Sequence, residues 1–206
     1  MNWSEHVIAR EIANQTLAKK CVVLVDNCNW TGYECDVLAV TTDLRIIDVE
    51  VKISRADLKA DAKKNKWWHQ QVTGYEQVQR SWGTVQSPIY TKNAREHPLK
   101  VWKHYYALPK AIWDDKLFDA LPSKASGVLL LDPDGYPRIS GQQMRVTCVR
   151  RATPAKDAHK LTPAEAMDIA RLANLRMWEA YARRDTAAKE LAELLKTKKE
   201  GECTPA

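Results

Sequence analysis

Three side chains in one short stretch have the types and spacing for metal-assisted hydrolysis: Asp36, Glu50 and Lys52. They lie in Glu34-Cys-Asp36-Val-Leu-Ala-Val40, a break at Thr42 and Asp43, and Arg45-Ile-Ile-Asp-Val-Glu50-Val-Lys52. Two short apolar runs around a polar break predict strands over 34 to 40 and 45 to 53 joined by a tight turn. With the turn centred on Asp43, Thr41 faces Arg45 and Asp36 falls opposite Glu50. Side chains alternate along a strand, so Glu50 and Lys52 share a face, which Asp36 joins in that register. A slip of one residue would separate them. The opposite face would carry Val37, Ala39, Ile47, Val49, Val51 and Ile53, a coherent core face.

Two carboxylates and a lysine on one side of a sheet are costly unless paired or used. Oxygen ligands suit Mg²⁺ or Mn²⁺, and Mg²⁺ keeps several waters and takes one or two carboxylates. Asp36 and Glu50, with the backbone carbonyl of Val51, form such a ligand set. A cation there would acidify a bound water and steady the charge on a phosphate. Lys52 would orient the nucleophile and stabilise developing charge. The plain alternative is a surface hairpin with an exposed Glu–Lys pair. What favours chemistry is the whole string: acid, short strand, turn, apolar strand, the Glu-x-Lys step, then a basic segment.

That segment, Lys52 to Lys110, holds twelve basic residues against four acidic ones. The whole chain of 206 residues has a net charge of +6, so the remainder is slightly acidic. Positive charge gathered beside a hydrolytic site is what a phosphate track needs. Arg55 and Lys59 lie one helical turn apart and could contact phosphates together. Lys63 and Lys64 extend the track, and Trp67 and Trp68 could stack on unpaired bases. Gln70 follows as a polar candidate near the site. The competing reading is that the tryptophans plug the core and the lysines form a solvated face.

The elements that must hold these residues read as α-β-β-β-α-β-β-β-α. A first helix over 4 to 19 has Ser4 as its cap. Residues 21 to 26 form a short buried strand. Residues 55 to 80 have helical character, and 81 to 100, broken by Gly83 and Pro88, reads as loop. Strands follow at 104 to 108, 127 to 131 and 144 to 150, with a short helix or turn at 111 to 121 and a turn at 132 to 138. Thr162-Pro163-Ala164-Glu165 is a capping box opening a long helix to about Lys196. The expected fold is therefore α/β: a mixed sheet of four to six strands flanked by helices, plus a long C-terminal helix. The domain reading is a core over 1–152 with a basic, tryptophan-rich insertion at about 63–103. A helix over 160–197 packs on the core or on a second copy, and 198–206 is a flexible tail.

The residues ECDVLAV and IIDVEVKISRADLKAD resemble the PD-(D/E)xK (restriction-endonuclease-like) nuclease superfamily, and more narrowly the MmcB-like bacterial DNA-repair proteins. In that family the EVK strand is followed by a serine, then Arg-Ala-Asp and a second Ala-Asp-basic step. Here these are Ser54, Arg55-Ala56-Asp57 and Ala60-Asp61-Ala62-Lys63. HYYALPK, and GVLLLDPDG with Arg138, resemble the later strands. The similarity covers roughly residues 5 to 150 and lapses between Lys63 and Lys103, where this chain carries extra residues. Cys35 replaces the motif's leading proline. The resemblance implies a mixed sheet flanked by helices, a divalent metal and phosphodiester hydrolysis carried by Asp36, Glu50 and Lys52. The corresponding setting is DNA repair, recombination or phage DNA processing, with an inactive DNA-binding module as the alternative. Many members also use a glutamate on the first helix, for which Glu11 is the first candidate and Glu5 the second.

No run of about 18 apolar residues exists, so no membrane partner is expected. The charged N-terminus argues against secretion, and five cysteines, an odd number, argue for reduced thiols. Together these give a cytoplasmic expectation, and the resemblance implies a bacterial or phage-encoded setting.

Overall fold

The computed structural model describes residues 3–133 and 144–202. Its centre is a six-stranded mixed sheet of β1 (Cys21–Cys28), β2 (Cys35–Thr41), β3 (Ile46–Val51), β6 (Val101–Pro109), β7 (Gly127–Asp132) and β8 (Arg145–Arg150), side by side in that order. β1, β2 and β3 pair antiparallel. β3–β6 and β6–β7 are parallel, and β8 returns antiparallel. The expected α/β architecture is present, with the six strands at the upper end of the expected range.

The β2–β3 turn fixes the register on which the site depends. Its loop is Thr42–Leu44, and Leu44 takes the left-handed conformation (φ 61°) that closes a three-residue hairpin loop. The Thr41 hydroxyl donates to Asp43 Oδ1 at 2.6 Å and accepts from the Arg45 amide at 3.0 Å. Pairing then runs Val40–Ile46, Ala39–Ile47, Leu38–Asp48 and Val37–Val49. The ladder ends there, and Asp36, the next residue, meets β3 through its side chain at the Val51 amide.

The two faces of the sheet bury different things. On one, α1 (Glu5–Ile12) and a wider π-helical turn, Ala13–Leu17, lay Ile8, Ile12 and Leu17 on Val37, Ala39, Ile47, Val49 and Val51. That is the core face expected from sequence, except that Ile53 lies past the strand and is exposed. On the other face two apolar clusters flank a polar centre. Leu38, Val40 and Ile46 lie under the start of α3 (Pro163–Glu202), which contributes Ile169. Tyr106, Leu108, Val128 and Leu130 lie under Leu58 and Trp67.

Three features depart from the sequence reading. Helix α2 is short (Arg55–Ala60), and 3₁₀ turns Asp61–Lys63 and Asn65–Trp67 follow it. Residues expected to be helix and loop instead form a long antiparallel hairpin, β4 (Trp68–Arg80) with β5 (Gly83–Ala94), as a separate two-stranded sheet. Helix α3 runs on to Glu202, through the start of the expected flexible tail. Cys203, Arg138 and most of the expected turn at 132 to 138 lie outside the described residues. Among the described residues no helix is long and apolar enough to cross a membrane, and Cys21, Cys28, Cys35 and Cys148 are free thiols.

Candidate active site

Glu50 and Lys52 sit at the C-terminal end of β3 on the face away from α1. The Lys52 amide donates to the Ala107 carbonyl at 2.9 Å, carrying the β3–β6 ladder one residue past the strand. Ser54 then caps α2, its hydroxyl accepting from the Asp57 amide at 3.1 Å. The short helix and its 3₁₀ turns fold back over the sheet and deliver Asp61, Lys64, Lys66 and Trp67 onto Glu50.

The result is a charge cage. Lys52 Nζ lies 3.0 Å from Glu50 Oε2 and 3.2 Å from Asp61 Oδ1. Lys64 Nζ lies 3.3 Å from the same Glu50 oxygen and 3.0 Å from Asp61 Oδ1. Lys66 Nζ donates to Glu50 Oε1. Asp61 Oδ2 accepts from the Trp67 indole at 2.9 Å and from the Tyr106 hydroxyl. Glu50, Lys52, Asp61 and Lys66 are all buried, while Lys64 is exposed. Buried charges persist only when partnered in this way.

Protonation follows from the cage. Burial pushes Glu50 and Asp61 up, but Lys66 and Lys52 outweigh it, and both carboxyls titrate below their ordinary values. Burial likewise pulls Lys52 down, and Glu50 and Asp61 more than offset it, so the ammonium is held above its ordinary range. Behind the cage, burial raises Asp48 to about 7 and keeps the His104 imidazole neutral.

Asp36 is the open member. Its Oδ2 accepts from the Val51 amide at 2.6 Å, tying it to the strand that carries Glu50. Burial first, and then the Glu50 charge, raise it to about 6. A folded value above the unfolded one of about 3.9 means a penalty on the folded state once Asp36 ionises. That penalty is absent below about pH 4 and complete above pH 6. Asn keeps the acceptor for Val51 and removes the charge. Asp36→Asn is therefore expected to stabilise the chain by on the order of 1 kcal/mol at pH 8, after discounting for solvent screening, and by nothing at pH 4. Urea melts of both proteins at the two pH values check this; no gain at pH 8 would show that neither burial nor the Glu50 charge disfavours ionised Asp36.

The donor chemistry bears on a divalent cation. Asp36 and Glu50 are hard oxygen donors at the same end of the hairpin, and an acid raised by its neighbour's charge is relieved by a cation. Among the described residues no cluster of three or more histidine, cysteine, aspartate or glutamate side chains gathers as a cation site. Two carboxylates, a carbonyl and waters need no such cluster. Both Glu50 oxygens carry ammonium groups, two of them on Oε2. Withdrawal of Lys64, the exposed one, would open a lone pair on Oε2, with Lys52 still bonded there, and on that condition the residues fit a cation.

The other expected site residues divide. Glu11 is buried, but its carboxylate is held by Arg10 at 3.2 Å and by Gln15 at 2.8 Å. Gln15 also reaches the Met144 carbonyl and the Val146 amide, so Glu11 braces α1 against β8. The first-helix glutamate that meets Asp36 is Glu5, which lines a small cavity of about 130 Å³ with Asp36, Asp26 and His6. Trp67 is 1% exposed and belongs to the core and the cage, which removes it from nucleic-acid contact. Trp68 is half-buried, its indole donating to the Ala62 carbonyl at 3.1 Å. Arg55, Lys59 and Lys63 are exposed beside the cage, and Gln70 is exposed on β4 rather than on a helix. Sequence reasoning missed the roles of Asp61, Lys66 and Tyr106; the Ala-Asp-Ala-Lys step pointed at Asp61 without giving it a partner.

The chain matches no known family model and no curated protein. Among solved structures it is similar to the SPO1766 protein of unknown function from Silicibacter pomeroyi, at 19% identity and a TM-score of 0.48, over 93% of this chain and 96% of that one.

Proposed function

We propose that the chain is a divalent-metal-dependent deoxyribonuclease that hydrolyses phosphodiester bonds. The observation that carries the reading is the end of β3: Asp36 bonded to the Val51 amide, one residue from Glu50, and Lys52 bonded to Glu50. Mg²⁺ or Mn²⁺ on Asp36, Glu50 and the Val51 carbonyl would supply Lewis acidity and an activated water. Lys52, held as an ammonium, orients a phosphate oxygen and offsets its developing charge. It is not a proton acceptor. Arg55, Lys59, Lys63 and, once it leaves Glu50, Lys64 hold the DNA backbone. Repair, recombination or phage DNA processing in a bacterial cytoplasm is the setting this chemistry serves.

One observation favours a second reading, an inactive DNA-binding module: three lysines cover Glu50. A cleavage assay on duplex, single-stranded and branched DNA with Mg²⁺ and with Mn²⁺ separates the two. Cutting that stops with chelator supports the nuclease. Salt-sensitive binding without cutting under either metal selects the module.

A second copy of the chain belongs to the same proposal. Beyond the core contact at Ile169 and Leu172, α3 exposes Met177, Trp178, Tyr181, Leu191, Leu194 and Leu195. A lone solvated helix has no use for so much apolar surface. The chain is expected to run as a dimer of its 23.5 kDa mass in light scattering, and Leu191→Glu with Leu195→Glu as a monomer. A wild-type monomer at all concentrations would remove the second copy.

A further inference from the structure

Beyond its root at Trp68, the β4–β5 hairpin is an arm that pairs with no other strand among the described residues. Thirteen residues of β4 correspond to about 40 Å of extended ribbon. Almost every side chain along it is exposed or half-buried. A two-stranded ribbon with neither sheet nor helix on a face is marginal in water, so an arm of this length needs something to lie on.

The cross-strand register sorts the arm into two faces. Trp68 pairs with Ala94, Gln70 with Lys92 and Val72 with Tyr90. A bulge at Thr73 then shifts β4 by one residue, and the pairing resumes as Tyr75–Pro88, Gln77–Gln86 and Gln79–Thr84. The extra residue keeps one face continuous. Thr73 bonds Thr91 and Asn93 bonds Gln71 on one side, while Thr84 bonds Gln79 on the other. The second face thus presents Tyr75 and Tyr90, 66% and 54% exposed, among glutamines and Lys92. At the tip Trp82 is 77% exposed beside Arg80.

The root is fixed to the proposed site. Lys66 and Trp67, both in the charge cage, immediately precede β4. The Arg95 amide, just after β5, closes on the Trp67 carbonyl at 2.8 Å. Along the arm, residues 68–94, the charged side chains are Arg80, Lys92 and a single acid, Glu76.

We infer that this arm is a second DNA-binding element, which lays its amide-and-tyrosine face along duplex DNA and sets Trp82 against a base at the tip. A two-stranded ribbon fits the major groove, glutamine amides match base edges, and cations with one acid suit phosphates. A bare tryptophan at a tip has a base as its natural stacking partner. The inference rests on the reading of the β3 site as one that handles DNA.

The test uses the full chain, a fluorescent 25-base-pair duplex in chelator, and bis(p-nitrophenyl) phosphate with Mn²⁺ as a small ester too short to reach the arm. The exposed triple variant Trp82→Ala, Tyr75→Ala, Tyr90→Ala is expected to weaken duplex binding at least about tenfold and to leave small-ester turnover unchanged. A second variant removes residues 70–92 and joins His69 to Asn93, which pair across the ribbon, through Asn-Gly. It is expected to weaken binding further. Unchanged duplex affinity in both overturns the arm while leaving the nuclease standing if DNA is still cut. Loss of binding in both, with no ester or DNA cut by the wild type, upholds the arm and removes the nuclease.

Discussion

Replacing Lys66 by methionine is expected to cost about 3–5 kcal/mol of folding stability, the range for breaking a buried ion pair from one side. Lys66 is 2% exposed and donates to Glu50 Oε1, with Asp61 Oδ2 3.8 Å away. Methionine keeps roughly the stem and volume, so packing against Trp67 survives. What is lost is the only ammonium on that Glu50 oxygen among the described residues, since Lys52 and Lys64 both sit on Oε2. The pH dependence has a definite sign. In the wild type the Glu50 pKa is depressed, so its contribution is present above the unfolded value and lost as pH falls through the folded one. The variant lets Glu50 take up a proton instead, so its deficit is largest near pH 8 and shrinks in acid. The double variant Lys66→Met, Glu50→Gln removes the stranded charge and is expected to recover most of the loss, because a neutral pair avoids the desolvation penalty. Urea denaturation of the three proteins at pH 7.5 measures this. A single-variant cost under about 1 kcal/mol would mean that Lys66 is solvated and the cage is open.

The hairpin that carries Asp36 and Glu50 was legible because its two strands leave local marks. Each is apolar on the face that meets α1, and Thr41 and Asp43 supply a turn whose hydrogen bonds set one register. The arm was not legible for the opposite reason. A ribbon solvated on both faces has no buried side, so no alternation is written into Trp68–Arg80, and a run of glutamines with scattered valines reads equally well as helix. The cage failed at a different link. Lys66 and Asp61 look like surface charges in any window of sequence, and only the fold-back of the 3₁₀ turns onto β3 brings them to Glu50. Glu11 shows the limit of burial as a guide. It is enclosed beside Ile8 and Ile12, yet its partner is set by Gln15, one turn on, and by Met144 far along the chain.

Lys52→Ala is expected to lower metal-dependent DNA cleavage by about a hundredfold to a thousandfold, the loss typical when one preorganised donor is taken from a developing negative charge. Duplex affinity should change by no more than about twofold, because Lys52 is enclosed and the backbone contacts proposed for Arg55, Lys59 and Lys63 remain. That split separates its role from theirs: charge removal at Lys59 should weaken binding and its salt dependence while leaving the rate on bound DNA nearly intact. Alanine also strips a cation from Glu50 and Asp61, so rates must be compared well below the variant's melting temperature. Lys52→Arg provides the needed control. It keeps the charge but brings a planar fork into a site shaped for a compact ammonium, and is expected to fold better than alanine yet recover only part of the rate. The proton state gives the last check. Glu50 and Asp61 hold Lys52 charged above its ordinary range, so the wild-type rate should show no fall attributable to it between pH 7 and pH 10. A basic-side loss of activity that vanishes in Lys52→Arg would show instead that Lys52 titrates, and would turn it from a positioning cation into a proton carrier.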